Sequence, residues 1–500
     1  MGVVVRQSIK SSVVNYVGIG IGAVNLMVLS AKFLPPEMIG LMAGLLSAST
    51  LFTAFTQLGT PFISDKFFPQ FRDDNAQHHG FLPFILLYPL LGYAIFLVCM
   101  FVFKEDILTF YSKKSDLLTD YYWLIAVLTF ALMYQNVLES YCRLHFRIAV
   151  PTLIREVFLK LMNSFFILLF AFKFISLHTF IYVSCSTYFI QVIFLVFYIK
   201  SLKKWHLKPD WTRFDWRLLK QMSGFGLYII LGGMGTLLVS KLDMLMLPAL
   251  AGWNFTGIYS MANYMGTVVE IPKKTMSQIN IPILSAAWQR NDQAKILDIY
   301  QQTSLHQLLA GLVVFLLIWC NIDAIFSLIP NAKVYETGKY VVFFVGISKL
   351  TDMATGMNGE IILYSPRYKF TMFAMVFLAL LTFYSTYTLI PMYGVTGAAI
   401  ATALSIFCYT LLKFIFVLIA FKMQPFTKKS IYVLLIAIFT YVLVCFVPDI
   451  SYDFSIIQIN YFINIIAKSS IIVLVFMGLT IYFNVSKELN SLFNQIFRPK

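Results

Sequence analysis

Charged residues are scarce: Asp, Glu, Lys and Arg make up only 12% of the 500 residues, against 59% hydrophobic ones. An ordinary soluble chain carries roughly 25%. The shortage excludes a water-soluble fold, which has no means of hiding that much apolar surface. Acidic residues are the scarcer kind, 23 against 38 Lys and Arg, giving a formal net charge of +15. In a soluble chain that excess would suggest nucleic acid as a partner. Here the cations sit between hydrophobic runs, so no nucleic acid is expected. The six cysteines (Cys99, Cys142, Cys185, Cys320, Cys408, Cys445) fall in or beside apolar runs without CxxC spacing. They exclude a disulfide framework and read as packing residues. Walker A and HExxH motifs are absent. Gly232-Gly233-Met234-Gly235 lies within an apolar stretch, as packing rather than a phosphate cradle, and His78-His79 stands on a loop, read as solvated, with no metal-ligand partner. No catalytic residue, metal or cofactor is expected.

What is present is a series of long apolar runs, each about the 20 residues that cross a bilayer as a helix. They lie near 11–31, 41–63, 81–103, 121–140, 150–172 and 177–200, then 221–248, 254–272, 303–320, 338–361, 368–390 and 395–421, with two more at 429–447 and 462–484. The first follows Arg6 and Lys10 and reads as a retained helix, because no small-x-small cleavage site comes before the next run. The fold class expected is an all-α polytopic membrane protein of about fourteen transmembrane helices.

The positive-inside rule tests this count, since a missing or extra helix would invert the bias of every later loop. With the amino terminus inside, the opposite side holds only Lys32, Lys104, Lys113, Lys114, Lys173, Lys241, Lys333 and Lys339. Lys160, Lys349, Lys413 and Lys468 fall within spans, and the rest of the 38 collect on the cytoplasmic side. Both termini are therefore expected in the cytoplasm.

The domain organisation expected is an N-lobe of six helices over 1–200, a cytoplasmic connector over 201–220, a C-lobe of six over 221–421, and two further helices with a cytoplasmic tail over 422–500. The connector mixes Lys203, Lys204, Lys208, Arg213, Arg217 and Lys220 with Trp205, Trp211, Phe214 and Trp216, a composition suited to the headgroup region. Two correspondences suggest that the lobes are repeats. Gly40-Leu41-Met42 and Gly257-Ile258-Tyr259 open equivalent spans, and Pro151 and Pro366 are separated by nearly the same interval. Two such lobes are expected to enclose a central cavity.

The stretch Ser240-Lys241-Leu242-Asp243-Met244-Leu245-Met246-Leu247 with Gly252, then Thr256-Gly257-Ile258-Tyr259-Ser260-Met261-Ala262 and Ile271-Pro272, resembles the seventh and eighth helices of polysaccharide flippases. These belong to the multidrug/oligosaccharidyl-lipid/polysaccharide exporter superfamily. Ile390-Pro391-Met392-Tyr393-Gly394-Val395-Thr396-Gly397-Ala398 is similar to that family's junction between the eleventh and twelfth helices. One departure is Pro248, where the family pattern has glycine. The resemblance implies an ion-gradient-driven, alternating-access transporter in a bacterial inner membrane. Its cargo would be an undecaprenyl-pyrophosphate-linked oligosaccharide for surface polysaccharide such as O-antigen, with membrane lipids and a polysaccharide polymerase or other biosynthesis proteins as partners. Gly257, Tyr259, Pro272, Pro391, Gly394 and Gly397 are its structural positions here. Independently, Gly394 and Gly397 permit a tight turn and close helix approach.

Ionisable residues within spans are costly and mark candidate sites. Lys349 and Asp352, at i and i+3, share a helical face and either neutralise each other or line a route. Lys160 has Glu156 at i−4, and with Arg155 is placed to attract a pyrophosphate. Asp243 is a candidate for ion coupling or an inter-lobe contact. Glu139, Glu270 and Glu360 are expected near cytoplasmic ends, hydrated or paired with basic neighbours, and Lys413 and Lys468 are expected to snorkel.

Three alternatives stay open: a lipid II flippase, a multidrug/cation antiporter of the same superfamily, and a membrane-embedded glycosyltransferase or polymerase. The last needs acid, base or Arg groups on a sizeable aqueous loop. The longest loops on the less basic side, about 104–120 and 321–337, hold no evident set.

Overall fold

The computed structural model describes residues 2–72, 78–208, 210, 214–449, 457–486 and 490–491, and its regular elements there are all helical. Trp211 and Arg213 of the connector, and Lys487, Arg498 and Lys500 of the tail, lie outside the described residues. Contacts divide the chain into two units, Met1–Gly257 and Ile258–Lys500.

In the first unit, α1 (Gly2–Ala23) continues into π-helical turns over Val24–Ser30. Helix α2 (Pro36–Thr56) starts on a proline whose missing N–H would have had no partner in a first turn. Gly59, left-handed at φ 72°, turns the chain into α3 (Thr60–Phe71). There follow α4 (Phe81–Val102), the short α5 (Lys104–Ser112) and α6 (Leu124–Leu144). Then α7 (Ala149–Leu153) passes through a second π-helical segment, Ile154–Phe158, into α8 (Leu159–Ala171). Next come α9 (Leu177–Ser201) and α10 (Trp216–Leu250), which Asp215 caps by accepting from the Leu218 N–H at 2.7 Å. Helix α11 (Trp253–Thr267) opens at the unit's end.

Ile63, Phe67, Phe68, Phe71, Phe81, Val137 and Tyr141 form an apolar core. Apolar side chains also face outward: Ile95 is 64% exposed and Phe101 74%. In water this would be a defect; in lipid it is the expected outer face. Buried hydroxyls turn back onto helix carbonyls, as Thr53 does to Ser49 and Thr129 to Ile125, both at 2.7 Å. Ser49 donates instead across helices to the Ile125 carbonyl at 3.1 Å, joining α2 to α6.

In the second unit a 3₁₀ turn, Val268–Glu270, leads into α12 (Ile271–Gln289), with Pro272 in its first turn. Then follow α13 (Gln293–Trp319), α14 (Lys339–Ala354), α15 (Asn358–Tyr364), α16 (Lys369–Phe421), α17 (Lys428–Cys445) and α18 (Ile457–Tyr482).

Among the described residues nine helices are long and apolar enough to cross a membrane. The longest, α16 with 53 residues, holds two of the expected crossings: Gly394, at φ 56° and ψ −129°, breaks it after Pro391. The four other expected crossings are helical too, at 149–171, 216–250, 253–289 and 339–364. Three of them are interrupted by π-helical turns, a 3₁₀ turn, or charges such as Lys273, Lys349 and Asp352, whereas 216–250 is one continuous helix. The fold is that of a multi-pass helical membrane protein.

Candidate functional site

Among the described residues, each unit holds a cluster of ion-paired side chains within its helices. In the first, the π-helical turn Ile154–Phe158 presents Arg155 and Glu156 together. Arg155 Nη1 donates to Glu139 Oε2 on α6 at 2.6 Å, and its Nε donates to Glu156 Oε1 at 3.0 Å. Lys160 Nζ donates to Glu156 Oε2 at 3.0 Å, the i−4 pairing expected from sequence, and also to the Gly18 carbonyl on α1 at 2.9 Å. Two cations thus face two carboxylates, and 42% of the Arg155 side chain stays accessible.

Helix α1 can approach because residue 18 is glycine: a Cβ there would stand 2.8 Å from Glu156 Cβ and carbonyl oxygen. Asn25, in the π-helical part of the same helix, donates to the Lys160 carbonyl at 2.7 Å and accepts from Ser164. Both partner segments are therefore π-helical, a geometry concentrated at functional sites. Sequence reading missed Gly18 and Asn25. Their only signal is a glycine and an amide in an apolar run.

In the second unit Lys349 and Asp352, left open from sequence as a mutual pair or as lining of a route, are each ion-paired with a residue of another segment. Lys349 Nζ donates to Glu270 Oε2 at 2.7 Å, and Asp352 is ion-paired with Lys273. Glu270 and Lys273 are themselves three residues apart, so two rows of opposite charge order face one another. Lys413 corrects an expectation. It does not snorkel; it is only 7% exposed, lies 3.6 Å from Asp352 Oδ1, and places Nζ 4.2 Å from the centre of the Tyr409 ring. Lys468 reaches Asp449 at 2.6 Å, in the chain beyond α17. Asp243 is buried in α10 at 6% exposure.

Two of the motif glycines, Gly257 and Gly397, are sites of close approach. A Cβ on Gly257 would collide with the Pro36 carbonyl and one on Gly40 with the Trp253 carbonyl, so the first turns of α2 and α11 meet through their glycines. A Cβ on Gly397 would strike the Leu389 carbonyl. Tyr259 is 1% exposed. Where Pro248 replaces the expected glycine, α10 runs on to Leu250 and Gly252, at φ 106°, makes the turn instead.

The histidine pair is not on a solvated loop. His78 is 4% exposed, with its ring centre 5.1 Å from that of Phe68 and 5.7 Å from that of His145. Burial, then His78, Lys204 and Arg72, push the His145 pKa down to about 4. The connector is docked there: Tyr141 donates to the Lys204 carbonyl at 3.0 Å, and Phe214 stacks on Phe71 and Phe84 at 4.7 and 4.8 Å. Trp216, 80% exposed, keeps the character of an interfacial anchor.

Comparison with known proteins places these features in context. The family described as polysaccharide biosynthesis protein matches residues 4–288. The structure is similar to a lipid II flippase MurJ in an inward closed conformation, at 13% identity and a TM-score of 0.68, covering 95% of this chain and 99% of that one. It is also similar to a multidrug resistance MATE family transporter of the MOP superfamily in an inward-facing conformation, at 14% identity and a TM-score of 0.61, covering 81% of this chain and 94% of that one. At these identities the likeness is one of fold. A search of the curated proteins finds no match.

Proposed function

The chain belongs to the polysaccharide biosynthesis protein family, and from that premise we propose that it carries an undecaprenyl-pyrophosphate-linked oligosaccharide from the inner to the outer leaflet of a bacterial cytoplasmic membrane. In this reading both termini are cytoplasmic, the lobes span 1–200 and 221–421, and an ion gradient drives alternating access. A polysaccharide polymerase takes the product on the far side.

The observation that carries the reading is the Arg155 cluster. A guanidinium held by two carboxylates at 2.6 and 3.0 Å, yet with 42% of its side chain accessible, retains donors for a further anion. A diphosphate is a multidentate acceptor of matching geometry. Its arrival lets Glu139 or Glu156 give up a bond while the arginine stays compensated, and Lys160 supplies a second positive charge. In the other lobe Lys349 and Asp352 serve the same route, Asp352 being exchangeable because it has two cationic partners, Lys273 and Lys413. Asp243 is proposed as an ion-coupling or inter-lobe residue.

Arg155→Lys tests this. It preserves charge but loses the planar fork, so glycan export is expected to fall roughly tenfold, the equivalent of one good hydrogen bond to a charged group, at unchanged protein level. Normal export by Arg155→Lys and by Lys160→Ala would remove the proposal. Depletion separates the cargoes: lipid-linked glycan accumulating in the inner leaflet supports this reading, whereas lysis with accumulated lipid II supports the flippase alternative.

A further inference from the structure

A cavity of about 380 Å³ lies between α2, α4 and α5, walled by Phe52, Phe96, Met100, Phe103, Ile107 and Phe110. A second, of about 160 Å³, shares Phe52, Met100, Ile107 and Tyr111 with it and continues past Ala48. The two therefore share a wall, and both linings are almost wholly apolar.

The walls offer almost nothing to a polar ligand. The Tyr111 hydroxyl already donates to the Leu245 carbonyl, and that of Tyr122 to the Met100 carbonyl, both at 2.8 Å. Asp106 is the only charged residue of the lining, and it is exposed. The walls are also held apart. The Tyr111 ring stacks on Trp253 at 6.0 Å and fixes one end of α5, while Phe52 and Phe96 brace each other at 4.9 Å.

The wider cavity adjoins Phe101, Val102 and Phe103, which are 74%, 62% and 52% exposed. On that side the cavity borders the apolar end of α4, with the charged first turn of α5 at its rim. Lys104, Lys113 and Lys114 flank α5, but Glu105, Asp106, Asp116 and Asp120 stand among them. That balance leaves no excess of positive charge to select an anionic headgroup, so selection rests on the chain.

We propose that this space is a binding site for one acyl chain of a membrane phospholipid, held between α5 and the α2–α4 pair. The chain completes the packing of α5, whose own nine residues bury no side chain. The proposal stands independently of the glycan cargo.

The test is photolabelling of the full chain in nanodiscs with a phosphatidylethanolamine carrying a diazirine midway along one acyl chain, mapped by peptide mass spectrometry. Label is expected on Phe52, Phe103 or Ile107. It should fall roughly fivefold or more in Ile107→Trp, which intrudes into both cavities from their shared wall, and persist in Phe101→Trp, which adds the same ring outside. Melting temperature establishes that each variant folds, and Ala48→Phe replaces Ile107→Trp if that one does not. Label confined to Ile95, Phe101 and Val102 overturns the proposal, as does equal labelling of the filled variant. Displacement by a polyprenyl phosphate but not by unlabelled phosphatidylethanolamine overturns the choice of occupant.

Discussion

At the scale of single residues, the decisive fact is that the charges of the two described clusters are ion-paired, several of them across helices. Removing one partner strands the other, and breaking a buried pair in this way costs about 3–5 kcal/mol. Asp352→Asn leaves Lys273 and Lys413 close together without their shared carboxylate. We expect it to lower stability by about 3 kcal/mol, read as a lower melting temperature in detergent, and Lys413→Met added to it to restore part of the loss. His145 provides the pH counterpart. An unfolded histidine takes up its proton near pH 6.5, the folded one only at about 4. Stability contributed by the neutral ring is present above pH 6.5 and is lost as pH falls toward 4. His145→Phe should therefore flatten the melting temperature over that interval; an unchanged slope would show that other groups carry it.

At the scale of elements, composition and charge spacing made the helices legible, since a bilayer demands long apolar runs and the positive-inside bias checks their number. Gly394 was legible as a turn because glycine before a small-residue stretch has few other uses. Its φ of 56° with ψ of −129° lies where a side chain is strained. Gly394→Ala should cost about 1–3 kcal/mol, measured by thermal unfolding, whereas Ala398→Gly nearby should cost less. The π-helical turns at Val24–Ser30 and Ile154–Phe158 were not legible. They arise from contacts between α1 and the α7–α8 helix, and no local residue preference encodes them. The partners of Lys349 and Lys413, Glu270 and Asp352, were not legible for a similar reason: spacing along one helix shows which side chains share a face but not what stands opposite. The docked histidines were hidden because His78-His79 looks polar, while the aromatic rings that bury it come from distant sequence.

At the scale of the whole molecule, a chain with few charges places several of them in two compensated clusters, one per unit, within a family of polysaccharide biosynthesis proteins. Positive charge that is exchangeable rather than free suits a membrane interior, where an uncompensated cation is expensive and a diphosphate must be both bound and released. The most direct measurement is translocation of a fluorescent undecaprenyl-pyrophosphate oligosaccharide in proteoliposomes of the purified chain, followed by loss of fluorescence to an impermeant quencher. The account predicts movement dependent on the protein and reduced roughly tenfold by Arg155→Lys. Movement no faster than in protein-free liposomes, with an ion gradient imposed, would contradict it.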